Sequence, residues 1–143
     1  MPDADDNIFQ AVPVSHRDLL TARGTAVFTT VDHDNRPQST AVWYLVDHDG
    51  LLKLSSTANR QKYKNLRRSR SCTLFLIDPD DSHRTLEIRA EAELIADPDS
   101  ADITRFANAY GIEPSAVIAD NRYTIILRPR RIITNPPVRT QRQ

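Results

Sequence analysis

The chain has 143 residues, of which 39% are hydrophobic and 27% charged, and its 19 basic and 19 acidic side chains leave no formal net charge. A chain of this size forms one domain that folds without disulfides or a metal. The sequence has no apolar run long enough for a membrane span, and its single cysteine excludes a disulfide framework and a cysteine-cluster metal site. No secretory signal opens the chain, so we expect a cytoplasmic protein.

The charged side chains are unevenly distributed. Residues 60–70 hold six basic side chains and no acid, whereas the acids collect near the start of the chain and in turn-like strings. One such string, Val-Asp-His-Asp, occurs twice, at residues 31–34 and 46–49. Asp residues of this kind stabilise turns. We expect residues 1–14 to form a flexible tail, residues 15–134 the folded domain, and residues 135–143 a second tail.

The residue patterns predict short helices between β-strands. In chain order they predict a helix over residues 15–22, strands over 25–31, 37–46 and 51–54, a helix over 59–68, a strand over 71–77, a loop over 78–83, a strand over 86–94, a helix from 99 or 100 to 110, a short helix after Pro114, and a last strand over 123–134. The strand over 86–94 has the clearest signal, because apolar and charged residues alternate strictly along it. Pro129 interrupts the last strand, which indicates an edge or a bulge.

These elements predict a mainly β fold with short helices. Six strands in a largely meandering order, with two or three small helices, are typical of a barrel whose openings are covered by helices. No glycine-rich fingerprint follows any strand, and the chain has only 3 glycines. A Rossmann or P-loop nucleotide site is therefore disfavoured.

Metal and nucleophile chemistry finds little support in the sequence. The four histidines, His16, His33, His48 and His83, do not pair at ligand spacing, and we expect them to be surface residues. Cys72 lies in an apolar strand, where it packs as a small hydrophobe. No serine stands in a nucleophile-elbow motif. We therefore assign no metal ligands and no catalytic residues.

A phosphate site is predicted where the strand over 51–54 leads into the next helix. Ser55, Ser56 and Thr57 supply hydroxyl groups, and Arg60 and Lys62 follow in the first turn of the helix. A phosphate group is bound by N–H groups at a helix start, by hydroxyl donors and by a cation that can form two hydrogen bonds. Cations at a helix start oppose the helix dipole unless an anion lies between them and the helix. These five residues are therefore candidate phosphate ligands.

The chain also resembles a known family. Residues 35–44, 60–68, 86–92 and 122–131 are similar in order and spacing to segments of the split β-barrel flavin and deazaflavin oxidoreductases, which are relatives of pyridoxamine 5′-phosphate oxidase. The branch that uses the deazaflavin coenzyme F420 is the most similar. The resemblance covers roughly residues 15–134 and implies a split β-barrel.

The resemblance also implies where a cofactor binds. It implies a homodimer with the cofactor at the subunit interface. The ring of the cofactor would contact Gln38, Ser39, Thr40, Ala41 and Val42, and its phosphate would be held by Ser55, Ser56, Thr57, Arg60 and Lys62. Asn65 and Asp78 would make further contacts. Trp43 either lines the substrate side or packs in the core or the interface. Lys64 and Arg67 are candidates to hold the acidic tail of the deazaflavin, which flavin mononucleotide (FMN) lacks.

The expected activity is hydride transfer from reduced coenzyme F420 to a small unsaturated or quinone-like organic acceptor. Two alternatives remain: an FMN-dependent oxidase or reductase, and a non-catalytic protein that binds the cofactor or another amphipathic ligand. Nucleic-acid binding is disfavoured, because the basic segment holds the lone aromatic residue Tyr63 and no stacking platform.

Overall fold

The structure is a computed structural model, and it describes residues 6–138. The described residues form seven strands: β1 (Ala26–Val31), β2 (Pro37–Val42), β3 (Leu45–Val46), β4 (Leu52–Thr57), β5 (Ser71–Asp78), β6 (Asp81–Ala96) and β7 (Arg122–Asn135). Three α-helices, α1 (Ile8–Ala11), α2 (Gln61–Arg68) and α3 (Ala101–Ala109), and two 3-10 helices, Val14–Thr21 and Pro114–Ala116, complete the fold. The prediction of a mainly β protein with short helices is confirmed.

The seven strands form one antiparallel sheet in the order β2-β1-β5-β6-β7-β4-β3. The sheet curls into a half-barrel around a core that includes Phe28, Leu54, Leu74 and Ile125, all at most 1% exposed. Each such side chain contributes about 1.5–3 kcal/mol by leaving water. Along β6 the predicted alternation is confirmed, because its apolar members from Leu86 to Ala92 are buried.

Of the two alternatives predicted at Pro129, an edge or a bulge, the structure has the bulge, because β7 lies in the middle of the sheet between β6 and β4. Ala90 of β6 pairs with Pro129, whereas Arg89 pairs with Arg131, so Arg130 is an extra residue on β7. A bulge accommodates a proline, because the ladder is already interrupted where the N–H group is missing.

The tail prediction is wrong for residues 6–14. Ile8 and Val12 are at most 1% exposed, and the Ile8 N–H donates to the Gly50 carbonyl at 3.0 Å. Helix α1 is one turn long, which is too short to give a periodic signal in the sequence. At the other end β7 reaches Asn135, and the remaining tail residues 1–5 and 139–143 lie outside the described part of the chain.

Four smaller predictions are also corrected. The predicted strand over 37–46 is divided into β2 and β3 at Trp43 and Tyr44, which gives seven strands in place of six. The predicted loop over 78–83 is a tight hairpin, because β6 already begins at Asp81. The helix predicted over 15–22 is a 3-10 helix. His16 is buried, with its ring nitrogens bonded to the Ser15 hydroxyl at 2.7 Å and the Asn135 carbonyl at 3.1 Å.

We expect Gly50→Ala to lower the free energy of unfolding by about 1–2 kcal/mol, because L-residues are disfavoured at positive φ. Gly50 has φ +78°, and a Cβ there would lie 2.6 Å from Nδ2 of Asn7. Gly24→Ala is the matched control, since a Cβ at Gly24 would meet no atom within 4 Å. Urea unfolding of both variants measures the difference; equal stabilities would contradict the prediction.

None of the helices in residues 6–138 is long and apolar enough to cross a membrane.

Candidate functional site

A cavity of about 390 Å³ lies between the end of β4, the start of α2 and helix α3. It is lined by Thr25, Ala41, Val42, Trp43, Ser55, Ser56, Thr57, Arg60, Lys62, Ile103, Phe106, Val117 and Arg122. The lining has two chemically different parts. Four hydroxyl residues (Thr25, Ser55, Ser56 and Thr57) and three cations form the polar part, and aliphatic and aromatic side chains form the apolar part. Such a cavity suits a ligand that has both an anionic group and a flat apolar body.

Seven of the twelve predicted site residues line this cavity: Ala41, Val42, Ser55, Ser56, Thr57, Arg60 and Lys62. The local fold explains why the phosphate candidates meet. β4 ends at Thr57, and a turn closed by the Arg60 N–H on the Thr57 carbonyl, at 3.1 Å, leads into α2. Arg60 is the N-cap residue of α2, and its side chain does not accept a hydrogen bond from the helix. The first backbone N–H groups of α2 are therefore not capped by the Arg60 side chain.

The polar part of the cavity lacks negative charge. Within residues 6–138, no carboxylate oxygen lies within 4.0 Å of the side-chain nitrogens of Arg60, Lys62 or Arg122. Burial and the nearby Arg60 charge lower the pKa of Lys62. Burial likewise lowers the pKa of Arg122. The negative charge of Asp97 raises this pKa in part, and the positive charge of Arg60 lowers it further. A cluster of mutually repelling cations favours the binding of an anion.

Arg122 is a site residue that the residue-by-residue reading of the sequence did not single out. It enters the site because the first residue of β7 pairs with Thr57, the last residue of β4. Its guanidinium donates to the Ser55 hydroxyl at 3.3 Å and to the Val117 carbonyl at 2.7 Å, while its buried Nε has no partner. A strand pairing between residues 65 positions apart leaves no local sequence signal.

Five predicted site residues lie outside this cavity. Gln38, Ser39 and Thr40 precede Ala41 on β2, an edge strand of the sheet. Asn65 is buried, and its side-chain amide donates to the Thr30 hydroxyl at 3.0 Å and to the side-chain Oε1 of Gln38 at 3.4 Å. These two bonds tie α2 to β1 and β2. Asn65 thus has a structural role that accounts for its burial.

Asp78 lies at the β5–β6 hairpin, whereas the cavity adjoins the opposite end of β6. Its carboxylate pairs with Arg84 at 3.0 Å, and Arg84 also pairs with Asp18 of the first 3-10 helix. Lys64 and Arg67 are exposed on α2 and do not line the cavity.

Helix α3 is held over the cavity by a network of charged side chains, of which Asp47 and Lys53 are buried and Arg105 and Asp102 are partly exposed. Arg105 of α3 pairs with Asp47, in the turn between β3 and β4, at 2.6 Å, and with Asp102 at the same distance. Asp47 also accepts from Lys53 at 2.9 Å. Burial alone would raise the pKa of Asp47, but hydrogen bonds from Arg105 and Lys53 hold it well below its usual value. The network fixes the apolar wall that α3 contributes to the cavity.

The family model for pyridoxamine 5′-phosphate oxidase matches residues 13–135. A solved structure named F420 reductase is 31% identical, with a TM-score of 0.77 over 85% of this chain and 98% of that chain. A conserved hypothetical protein from Mycobacterium tuberculosis is 23% identical, with a TM-score of 0.73 over 94% of this chain and 89% of that chain. The heme storage protein HutZ of Vibrio cholerae shares the fold at 15% identity, with a TM-score of 0.70 over 86% and 94% of the two chains. The comparison with curated proteins gives no match.

Proposed function

The chain belongs to the pyridoxamine 5′-phosphate oxidase family, and from this premise we propose that its cavity binds the deazaflavin coenzyme F420. We infer further that the protein transfers hydride from the reduced coenzyme to a small unsaturated or quinone-like acceptor. The observation that carries the proposal is the cluster of Arg60, Lys62 and Arg122 beside hydroxyl groups, without a carboxylate partner in residues 6–138. The 31% identity to a protein named F420 reductase supports the choice of coenzyme.

The residues present fit the phosphate of such a coenzyme. The buried Nε of Arg122 has no hydrogen-bond partner, and a buried N–H group without a partner costs about 1–3 kcal/mol. The Ser55, Ser56 and Thr57 hydroxyls donate to the Tyr123 carbonyl at 3.4 Å, to the Thr57 carbonyl at 3.1 Å and to the Asn59 side chain, and a phosphate oxygen would replace these acceptors. The Arg122 Nε is shielded from solvent, so its N–H would reach a phosphate oxygen only after the guanidinium shifts. Burial and, after it, the Arg60 charge lower the pKa of Lys62, and a bound phosphate would offset both by its negative charge. The donor set is therefore suited to a phosphate, which accepts several charge-assisted hydrogen bonds.

The exposed face of α2 favours the deazaflavin over FMN. Lys64 ends the first turn of the helix and Arg67 lies in its last turn, both exposed. Within residues 6–138 no carboxylate oxygen lies within 4.0 Å of the side-chain nitrogens of either residue. The tail of coenzyme F420 carries carboxylates, whereas FMN ends at its phosphate. We propose that the tail follows this face of α2 from the phosphate position.

When bound, the reduced coenzyme supplies a hydride: the double bond of the acceptor gains this hydride and one proton from water, and the deazaflavin is oxidised. The contribution of this chain is binding and orientation. Its cations and hydroxyls hold the phosphate, and Val42, Ile103 and Phe106 exclude water from the apolar part of the cavity. We assign no side chain as acid or base.

We also propose a homodimer, in which Gln38, Ser39 and Thr40 of the edge strand β2 contact the ring at the subunit interface, and Asp78 contributes from its hairpin. An edge strand with exposed alternate residues offers unpaired backbone groups to a ring or to a partner. A cytoplasmic location remains a prediction from the sequence.

The proposal is tested by titrating cofactor-free protein with coenzyme F420 and with FMN side by side, followed by an acceptor assay with the reduced coenzyme. We expect micromolar or tighter binding of coenzyme F420, weaker binding of FMN, and oxidation of the reduced coenzyme that depends on the acceptor. Preferential FMN binding would assign the protein to the FMN-dependent alternative. Tight binding without turnover would favour the non-catalytic alternative.

A further inference from the structure

Residues 113–120, which we call the cover segment, connect helix α3 to β7 and contribute Val117 to the lining of the cavity. The backbone hydrogen bonds of the segment are local, since they join its own N–H groups and carbonyls at 3.0–3.2 Å. Within residues 6–138 a single hydrogen bond reaches the segment from outside, from Nη2 of Arg122 to the Val117 carbonyl at 2.7 Å. Arg122 therefore tethers the cover segment to the sheet.

The cover segment lies between two residues with left-handed backbone. Gly111 precedes it with φ 68° and Asn121 follows it with φ 57°. The hinges of a moving segment are a few loop residues that absorb the change in backbone angles. Ile118, inside the segment, has 57% of its surface exposed, so packing holds this part of the chain only weakly. The segment is thus built to move once its tether is released.

Arg122 lies between the cover segment and the polar part of the cavity. Its Nη1 donates to the Ser55 hydroxyl at 3.3 Å, its Nη2 donates to the Val117 carbonyl, and its buried Nε has no acceptor. A guanidinium is planar and rigid, so its three nitrogens move as one unit. A shift that brings Nε to an oxygen of a bound anion therefore also displaces Nη2 from the Val117 carbonyl.

We propose that Arg122 couples the two parts of the cavity: an oxyanion bound beside Arg60 and Lys62 takes the guanidinium from Val117 and releases the cover segment. A two-point, charge-assisted pair with an oxyanion is stronger than one bond to a neutral carbonyl. Water replaces the donor at the released carbonyl, because the segment is partly exposed. The release opens the apolar part at Val117, so a second ligand enters after the anion. This inference rests on the anion binding of the proposed function, and not on the identity of the coenzyme.

The experiment follows amide hydrogen exchange of the cover segment by mass spectrometry, with and without saturating pyrophosphate. Pyrophosphate is the probe because it suits the polar part of the cavity and is too small to shield the segment. We expect pyrophosphate to make exchange in the unmodified protein about fivefold faster, the effect of one lost hydrogen bond on a local opening equilibrium. Titration calorimetry measures pyrophosphate binding in parallel, and coenzyme F420 is tested in a second series.

Arg122→Met distinguishes this coupling from a purely structural tether. Its cover segment should already exchange about fivefold faster without an anion, and saturating pyrophosphate should add no further change. Lys64→Met, outside the cavity, is the control and should respond to pyrophosphate as the unmodified protein does. The buried residues 125–127 of β7 report the fold of each variant, because their exchange should not change. If Arg122→Met does not fold, the response of the unmodified protein still decides the inference.

The inference is overturned if pyrophosphate binds while exchange of the cover segment stays unchanged or becomes slower. A response of Arg122→Met equal to that of the unmodified protein also overturns it, because the release would then not pass through Arg122. A response to pyrophosphate without binding of coenzyme F420 would support the inference and contradict the proposed function. Binding of the coenzyme without a response to either ligand would do the reverse. If neither pyrophosphate nor the coenzyme binds, both fail.

Discussion

Lys62→Met is expected to weaken the binding of coenzyme F420 about 10–100-fold, the range for one lost hydrogen bond to a charged group. Lys62 lines the cavity at the start of α2, half-buried and without a carboxylate partner within residues 6–138. Its ammonium group is therefore available to the phosphate. The measurement is a titration of cofactor-free variant and unmodified protein with the coenzyme.

Lys64→Met is the matched control on the same helix. Lys64 is exposed and lies outside the cavity, so its loss should weaken coenzyme binding by no more than the few-fold effect of a surface charge on the tail. Equal losses in the two variants would contradict a phosphate site in the cavity and would indicate a diffuse effect of the basic segment.

Stability gives an independent readout for Lys62→Met. Burial and the Arg60 charge lower the pKa of Lys62, so the folded state disfavours the protonated form that exists at neutral pH. This destabilising contribution is present below the folded pKa of Lys62 and disappears as the pH rises towards its unfolded value. The thermal midpoint of the variant at pH 7 should therefore equal or exceed that of the unmodified protein. A fall in both the midpoint and the affinity would point to a damaged fold.

Asp47→Ala is expected to lower the free energy of unfolding by about 1.5–3 kcal/mol, the range for a lost hydrogen bond to a charged group, because Lys53 keeps Asp49 and Arg105 keeps Asp102. Asp47 is buried between Lys53 and Arg105, at 2.9 and 2.6 Å. The variant leaves the Lys53 ammonium with Asp49 alone and releases Arg105 from the β3–β4 turn. Urea unfolding monitored by circular dichroism measures the loss.

The repeated Val-Asp-His-Asp string supplies the control for this prediction. Asp34 lies in the β1–β2 turn, its side chain is 60% exposed, and Asp34→Ala should change the stability by no more than about 0.5 kcal/mol.

The effect of Asp47→Ala should also depend on pH. Because the folded pKa of Asp47 is lowered, its contribution is present above the usual carboxyl pKa and is lost as the pH falls through the folded value. The two proteins should therefore converge in strong acid, and a constant difference down to that range would contradict the assignment.

The repeated string illustrates what can be predicted from the sequence. Both copies indicate turns, and both are turns in the structure. The sequence contains no sign that Asp47 is buried and Asp32 is not. That difference depends on Arg105, which lies 58 residues away on α3. Local turn propensity is read from neighbouring residues, whereas burial depends on distant packing.

The residues of the candidate site also form two groups: those that the local sequence indicates and those that distant packing brings to the cavity. The phosphate candidates from Ser55 to Lys62 lie within eight residues, where a strand leads into a helix, and the structure brings them to one cavity. Arg122, Ile103 and Phe106 reach that cavity through strand pairing and helix packing over long separations. Their roles could not be predicted from local patterns. The sequence does not predict the buried turn at Ile8, because a single helical turn has no periodicity.

The most direct test of the phosphate assignment is a crystal structure of the protein with coenzyme F420. We expect the phosphate to lie in the cavity, with its oxygens within hydrogen-bonding distance of Lys62, of Arg60 or Arg122, and of at least one hydroxyl among Ser55, Ser56 and Thr57. A coenzyme bound with its phosphate outside this cavity, or a cavity occupied by the acceptor alone, would contradict the account.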